Sequence, residues 1–500
     1  MKIKNGAKWL ALIIFILGLG IRLYDITDEP VEVQQARQLR AAIITRSIYL
    51  QNHPFAKDSE VEYAIDLAAD TGLIEPSILE FITANAYRVF GGERPWMGRL
   101  VSITFWMLGG LALYFLARDL SSESGAVASI SFYFLLPFGI TFSRVIMPDP
   151  MMVASTTIAI WAIYNWEKHR TQKWAAAAGL AAGYAIFSKT IAAILLIFPF
   201  ALFILEAEPF KAAIKNKQLW TILMLAAMPT GAYYFYGIVI DGRLAEQFQG
   251  RFFSDLLIDP GFYVRWLNKI EYKFTLISVV FSAIGIVLLE ERKYKMLLAG
   301  WWLGYFFVGF FFPYHIWTHI YYHLPLVPIV ALSLAPVTAQ LIGAVRKKEN
   351  LLFNYILILT IFAAVAGYNL WTARVEMAAE DHRVVRPYWQ GIAAEFEDYP
   401  DEKIIALTGD YGLGLSFYGR LRTTNWLRGG DLLYRSLDDG SEYAFEDLWN
   451  RTDGHRFFLV TAGNEFDRQV ELNKKLKNYQ IFAEGNGYII YDISAKIEGK

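Results

Sequence analysis

Eleven stretches of this chain are almost wholly apolar, and no other feature limits its fold so sharply. They cover 9–24, 97–117, 125–146, 151–166, 174–188, 190–205, 219–240, 273–289, 296–313, 324–345 and 351–371. A helix needs roughly 20 mostly apolar residues to cross the hydrocarbon core, and shorter ones manage by tilt or local thinning. Inside lipid, helices pair every backbone N–H and C=O within the segment, which open strands cannot do. The chain therefore reads as a polytopic α-helical membrane protein with about eleven transmembrane helices. Composition agrees, since only 19% of the 500 residues are charged, against about a quarter in a soluble chain.

The turns between these segments fall into two sets. One set, MKIKNGAK, RD, EKHRTQK, EAEPFKAAIKNK, EERKYK and RKKE, carries lysine or arginine in every member. That is the positive-inside pattern, and it places the N-terminus in the cytoplasm of a cell with its plasma membrane as host. The basic start and first apolar run resemble a signal peptide, but no small-x-small cleavage site follows, so the run reads as a retained first helix. The other set holds a long loop at 25–96, MPDP, SKT, the 241–272 loop, PYHIWTHIYYH and, with eleven spans, everything after Trp371. These lie outside.

The domains expected are a transmembrane domain over 1–371, including the 25–96 loop, and a small extracytoplasmic α/β domain over 372–500. In the tail, KIIALT, RFFLVTA, QIFAE and GYIIYDI read as strands, and EFDRQVELNKKLKNY as helix. GDYGLG after the first strand lacks the GxGxxG spacing and reads as a plain strand-to-helix turn. In the long outer loop, Val33, Ala36, Leu39, Ile43 and Leu50 share one helix face, with Arg37, Arg40 and Arg46 elsewhere. Such a helix would lie along the membrane with its arginines at lipid phosphates. PSILEFITANAYRVFGG reads as interfacial.

Several function classes drop out. A net charge of −1 argues against a nucleic-acid partner. With no cysteine, there are no disulfides, thiolate metal sites or cysteine nucleophiles. Few charges lie deep in the spans and no internal repeat is visible, which disfavours a transporter with a polar path at the midplane. The polar residues gather outside instead: Glu32, Glu75, Asp149, Lys189, His319, Tyr322 and His323 all fall on that face.

Each has an ordinary explanation beside the chemical one. Asp25, Asp28, Glu29 and Glu32 crowd eight positions after the first span, where a carboxylate favours a helix start. Asp149, between Pro148 and Pro150, suits a cap, or could orient an acceptor or help hold a metal. Glu75, before Pro76, suits a cap as well. Lys189 could snorkel, or reach a lipid phosphate. His315, His319 and His323 recur every four residues, a zinc-like spacing, but Pro313 and Pro325 bracket them and no carboxylate is near. Tyr322 and His323 read better as contacts to phosphate or lipid, helped by His319 and Tyr321.

Five motifs in order carry a family resemblance. They are the first helix ending in RLY, with a proline and an acidic residue after it; IEPSILEFITANAYRVFGGERPWMGRL; FSRVIMPDPMM; GLAAGYAIFSKTIAAILL; and IYYHLPLVPIVALS. Together they resemble bacterial relatives of dolichyl-phosphate-mannose protein mannosyltransferases and of lipid A aminoarabinose transferase, in the GT-C superfamily of membrane glycosyltransferases. The resemblance spans about 1–345; the tail matches only as an extracytoplasmic domain. It implies transfer of a sugar from a polyprenyl phosphate to a lipid, glycan or protein acceptor outside the membrane, usually with inversion and without a nucleotide. It also implies a base in the first outer loop, and Glu32, two residues after Pro30, best matches that place. The family residue is usually aspartate, which keeps Asp28 and Glu29 in reserve. Where some relatives have an acidic residue and a lysine before the proline, this chain has Ile74 and Glu75, so a metal role does not carry over directly.

That chemistry needs a base, worth typically 10²–10⁴-fold, and cationic stabilisation of the leaving phosphate. The roles expected are catalysis by Glu32 and Asp149, with Lys189, Glu75, Arg37, His319, Tyr322 and His323 contacting substrate. A divalent metal ion is compatible with this set, and no motif calls for a nucleotide cofactor. The alternatives are a ligase using a diphosphate-linked oligosaccharide, for which one would expect arginine-rich outer loops, a lipid or solute transporter, and a membrane-anchored binding module.

Overall fold

The computed structural model describes residues 3–72, 74–242, 244, 252–347, 350–440 and 444–497. Parts of the turns expected at 1–8, 241–272 and 346–349 lie outside the described residues. The chain divides into two compact units: Met1–Ile26, Leu73–Ile82 and Met97–Ala379 form the first, and Thr27–Gly72, Thr83–Trp96 and Glu380–Lys500 the second. The division expected near 371 thus falls at 379, and most of the first outer loop groups with the tail.

The first unit is helical. Each expected apolar segment is helix over most of its length, including Ile3–Leu23, Trp96–Leu120, Pro148–His169, Gln172–Ser188, Ile191–Ala207, Arg292–Phe311, Leu326–Val345 and Leu351–Met377. Among the described residues, five helices are long and apolar enough to cross a membrane, or six if one bent pair counts as a single span. Small residues let neighbours approach, as expected where lipid offers no hydrophobic drive between helices. A Cβ on Gly300 would stand 2.5 Å from Pro199 Cα.

Two expected spans are broken. The 125–146 segment divides into Glu123–Leu135 and Pro137–Phe142. Leu136 precedes a proline, and its extended backbone (ψ 123°) ends the first helix, after which Pro137 opens the second. The break frees the Phe134 carbonyl, and Arg22, wholly buried, answers it while also binding its own helix and Ser143. Its guanidinium donates to Gly18 O (2.7 Å), Phe134 O (2.9 Å) and Ser143 Oγ (2.6 Å). The arginine of RLY is therefore the cap of a helix break. The 273–289 segment begins at Leu276, where the chain has turned 90° from the helix Pro260–Phe274. That preceding helix buries Phe262, Trp266, Ile270 and Phe274, one residue per turn.

The second unit is built on a five-stranded sheet, β1 (Ile404–Leu407), β2 (Thr423–Asn425), β3 (Phe457–Val460), β4 (Tyr479–Gly485) and β5 (Tyr488–Lys496), in the order β2-β1-β3-β5-β4. β1 runs parallel to β2 and β3; β5 is antiparallel to β3 and β4. β2 has no counterpart in the sequence reading, since its TTN core carries no apolar alternation. Both faces of β1 and β3 are covered. Ile405, Leu407, Phe458 and Val460 pack with Trp426, Leu448, Leu472 and Leu476. On the other face, Ile404, Ala406, Phe457 and Leu459 pack with Trp389, Ile392 and Phe396, and with Val31, Leu39, Ile43 and Leu67 of the outer loop.

That last contact corrects the surface-helix reading. The helix Gln35–Leu50 buries Gln38 through Thr45 without a gap. Its apolar face finds the core of the tail rather than lipid. Arg40 donates to the carbonyls of Thr71 and Gly72, and Arg46 pairs with Glu93 at 2.8 Å and lies 3.9 Å over the Phe417 ring. Neither is left for lipid phosphate. Arg37 sits half-buried on the same helix.

Candidate active site

In the first unit the fold gathers four of the expected residues around one ammonium. Lys189 follows the last turn of Gln172–Ser188, in extended backbone that ends that helix. Asp149 lies in the first turn of Pro148–His169, behind Pro148. Their side chains meet with Nζ 2.8 Å from Oδ1, and both are buried. Glu75 Oε1 is 3.9 Å from the same nitrogen. The rings of Tyr321 and Tyr322 complete the cage, their centroids 5.0 and 4.9 Å from Nζ. Burying a charge costs several kcal/mol unless it is paired, and aromatic faces add cation–π attraction. This cage supplies both. Asp149 Oδ2 is buried and, among the described residues, has no hydrogen-bond partner.

The histidines divide. His323 is fully buried, with Nδ1 2.7 Å from the Tyr305 hydroxyl and Nε2 3.0 Å from Ile316 O. Because a carbonyl only accepts, Nε2 carries the hydrogen and Nδ1 receives the tyrosine's. Both ring nitrogens are thus spent inside the fold, and the substrate contact expected of His323 is withdrawn. His319 stacks on His315 (5.4 Å between centroids) and lies 2.7 Å from Thr318 Oγ1 through Nδ1. The four-residue spacing does not make a three-histidine cluster, because a 3₁₀ turn at Ile320–His323 breaks the helical repeat.

In the second unit, Glu32 is half-buried just before Gln35–Leu50. The Gln38 side-chain amide donates to Val33 O at 2.7 Å and reaches Glu32 Oε2 at 3.4 Å. The neighbouring carboxylates are used otherwise. Asp28 Oδ2 accepts from the backbone N–H of His382 (3.2 Å), and Glu29 takes Arg386 Nε (2.7 Å) and the Tyr418 hydroxyl (2.9 Å). Burial is the largest single influence and works against the Arg386 charge, but its hydrogen bond to Glu29 together with the nearby charges of Glu29, Tyr418 and Glu93 lifts its pKa above the ordinary guanidinium value. Asp28 and Glu29 thus anchor the start of the outer loop to residues of the tail. Arg386, Tyr418 and Gln38 were not foreseen. Only Gln38 lies close enough in sequence to have been noticed.

A divalent metal fits this arrangement poorly. The carboxylates of Glu75 and Asp149 already face an ammonium, and among the described residues no group of three or more His, Cys, Asp or Glu side chains could hold an ion. Lys189 supplies the positive charge there.

Residues 75–233, which include Glu75, Asp149 and Lys189, match the family of dolichyl-phosphate-mannose-protein mannosyltransferases. No curated protein matches the chain. Among solved structures, ArnT from Cupriavidus metallidurans bound to undecaprenyl phosphate shares the fold, with TM-score 0.57 and 14% identity over 97% of each chain. The oligosaccharyltransferase of Archaeoglobus fulgidus does so with TM-score 0.57 and 14% identity over 95% of this chain and 72% of its own. The same protein with an inhibitory peptide and a dolichol-phosphate matches at TM-score 0.57 and 13% identity. The GT-C resemblance read from the sequence therefore stands: a stretch matching the mannosyltransferase family lies within a fold shared with ArnT and the archaeal oligosaccharyltransferase.

Proposed function

We propose that this protein moves a sugar from a polyprenyl-phosphate donor to a lipid, glycan or protein acceptor at the extracytoplasmic face of the cytoplasmic membrane. The observation that carries the reading is the caged ammonium of Lys189, with Asp149 and Glu75, inside the stretch that matches the mannosyltransferase family. A structure of ArnT with undecaprenyl phosphate supports the donor class.

In this reading Glu32 takes the proton of the acceptor hydroxyl as its oxygen attacks the anomeric carbon. The sugar–phosphate bond breaks, its electron pair leaves on the phosphate, and the configuration inverts. Lys189 and the Tyr322 hydroxyl stabilise the leaving phosphate. Asp149 orients a hydroxyl through Oδ2, while Glu75 holds the ammonium in place. Arg37 and His319 are assigned to the outer parts of the substrates. Eleven spans with the N-terminus inside put the tail on the acceptor side, and the tail itself is a small α/β domain. The equal fold match to an oligosaccharyltransferase favours a second reading, transfer of an oligosaccharide from a diphosphate-linked carrier.

The test is transfer of labelled sugar from polyprenyl-phosphate and polyprenyl-diphosphate donors by membranes holding the intact chain. Transfer from a monophosphate donor, lost in Glu32→Gln and Lys189→Met, supports the first reading. Transfer only from a diphosphate donor supports the second. Label left on every donor, with lipids and proteins both examined, counts against both.

A further inference from the structure

We infer that the tail acts as the frame that sets Glu32, with Glu29, Arg386 and Tyr418 as positioning residues. Its catalytic use rests on the reading of Glu32 as the base.

The chain around Glu32 is fastened on both sides, and most fastenings come from residues 380–500. Upstream, Asp28 accepts from the His382 backbone and Glu29 binds Arg386. His382 and Arg386 lie one helical turn apart, so successive carboxylates meet successive turns. Tyr418 donates to the other Glu29 oxygen, and the Arg386 guanidinium lies 5.4 Å from the Tyr418 ring centroid. Pro30 fixes its own φ, and Val31 is buried in the core shared with Trp389 and Phe417. Downstream, Gln35 donates to Asp410 Oδ2 at 3.4 Å, and Gln38 holds Val33 O and Glu32 itself. Gln34, between these anchors, has φ 50°, a left-handed conformation that costs a non-glycine residue about 1 kcal/mol or more. That bend persists only because both of its sides are held.

Stability alone does not account for this array. The Arg386 side chain is 47% exposed, and exposed or half-exposed ion pairs contribute about 0–1 kcal/mol. What several weak bonds do well is fix a direction. A base must lie within hydrogen-bond reach of its proton, and an error of about 1 Å can cost about 10²-fold in rate. The frame therefore acts through placement of Glu32, not through contact with substrate.

Because the chain has no cysteine, a nitroxide on Glu32→Cys reports that one position in the full-length protein in nanodiscs. The spectrum is expected to be motionally restricted. It becomes several-fold more mobile when Arg386→Ala and Tyr418→Phe are added, and intermediate with Arg386→Lys, while a label on Lys474→Cys does not change. Unchanged mobility at position 32 overturns the frame. With Glu32 intact, the same pair of substitutions is expected to lower kcat by about tenfold to a hundredfold, leaving the donor KM unchanged. A mobile label with undiminished kcat overturns the catalytic use. No transfer by the wild type removes the base reading itself, and the spectrum still decides whether the tail positions residue 32.

Discussion

Lys189 Nζ lies 2.8 Å from Asp149 Oδ1, a buried ion pair joining two helices that are neighbours in the bundle. Removing one member strands the other charge, which costs about 3–5 kcal/mol, whereas removing both strands neither of them and leaves only the more distant Glu75 without its cation. Lys189→Met and Asp149→Asn should each lower the apparent unfolding midpoint in detergent sharply. The double variant should unfold well above the midpoint expected from adding the two losses. Strict additivity in this cycle would mean the pair is not coupled.

Metal removal gives a second expectation. With Lys189 supplying the positive charge between Glu75 and Asp149, transfer activity should survive incubation with EDTA at an unchanged rate. Loss on chelation, restored by a divalent ion, would instead require a metal ligated by residues that the cage does not contain.

Arg22 should matter for folding rather than turnover. In Arg22→Leu the carbonyl of Phe134 at the Pro137 break loses its donor, and a stranded buried acceptor costs about 1–3 kcal/mol. Arg22→Lys should recover only part, because one ammonium cannot fork to three acceptors on different segments. Thermal unfolding of the three proteins checks the order wild type, lysine, leucine.

Asp410 makes stability depend on pH. Burial raises its carboxyl pKa, and hydrogen bonds from Thr408, Gly414 and Gly412 only partly offset that. A folded value above the unfolded one means that folding favours the proton. Its stabilising contribution is therefore complete below the unfolded value, about 3.9, and is lost as pH rises through the raised folded value. Asp410→Asn should flatten that part of the curve, so the difference in unfolding midpoint between wild type and variant should change with pH. A difference that is constant between pH 4 and 7 would contradict it.

What could be seen in the sequence follows from the range of each signal. Apolar runs are local, so the helices from Ile3–Leu23 to Leu351–Met377 were legible, and strong β formers gave away β1, β3, β4 and β5. The break at Leu136 also had a local signal, the residue before Pro137, but it was overridden by the apolar run on both sides. Sidedness brought Lys189, Asp149, Glu75 and Tyr322 into one set, and three-dimensional packing then joined them. The same argument misassigned His323, because a position in a loop does not say whether a ring nitrogen faces outward or meets Ile316 O. Nothing near Glu29 announces Arg386, which lies 357 residues away. The helix Gln35–Leu50 was read as one-faced, yet it buries Gln38 through Thr45 on every side, polar residues included. Its partner was mistaken for lipid because Leu39 and Ile43 look the same to a membrane and to a protein core.

The interleaved make-up of the second unit also sets an order of events during synthesis. Residues 27–72 and 83–96 emerge from the ribosome early, while the tail that holds them comes last. At about 5–20 residues per second the wait is on the order of tens of seconds. During that interval Glu29 has neither Arg386 nor Tyr418, and Val31 has no core to enter. The acidic segment is thus left unassembled until translation nears its end, and a nascent chain cannot hold its carboxylate in the mature setting while the bundle is still being inserted.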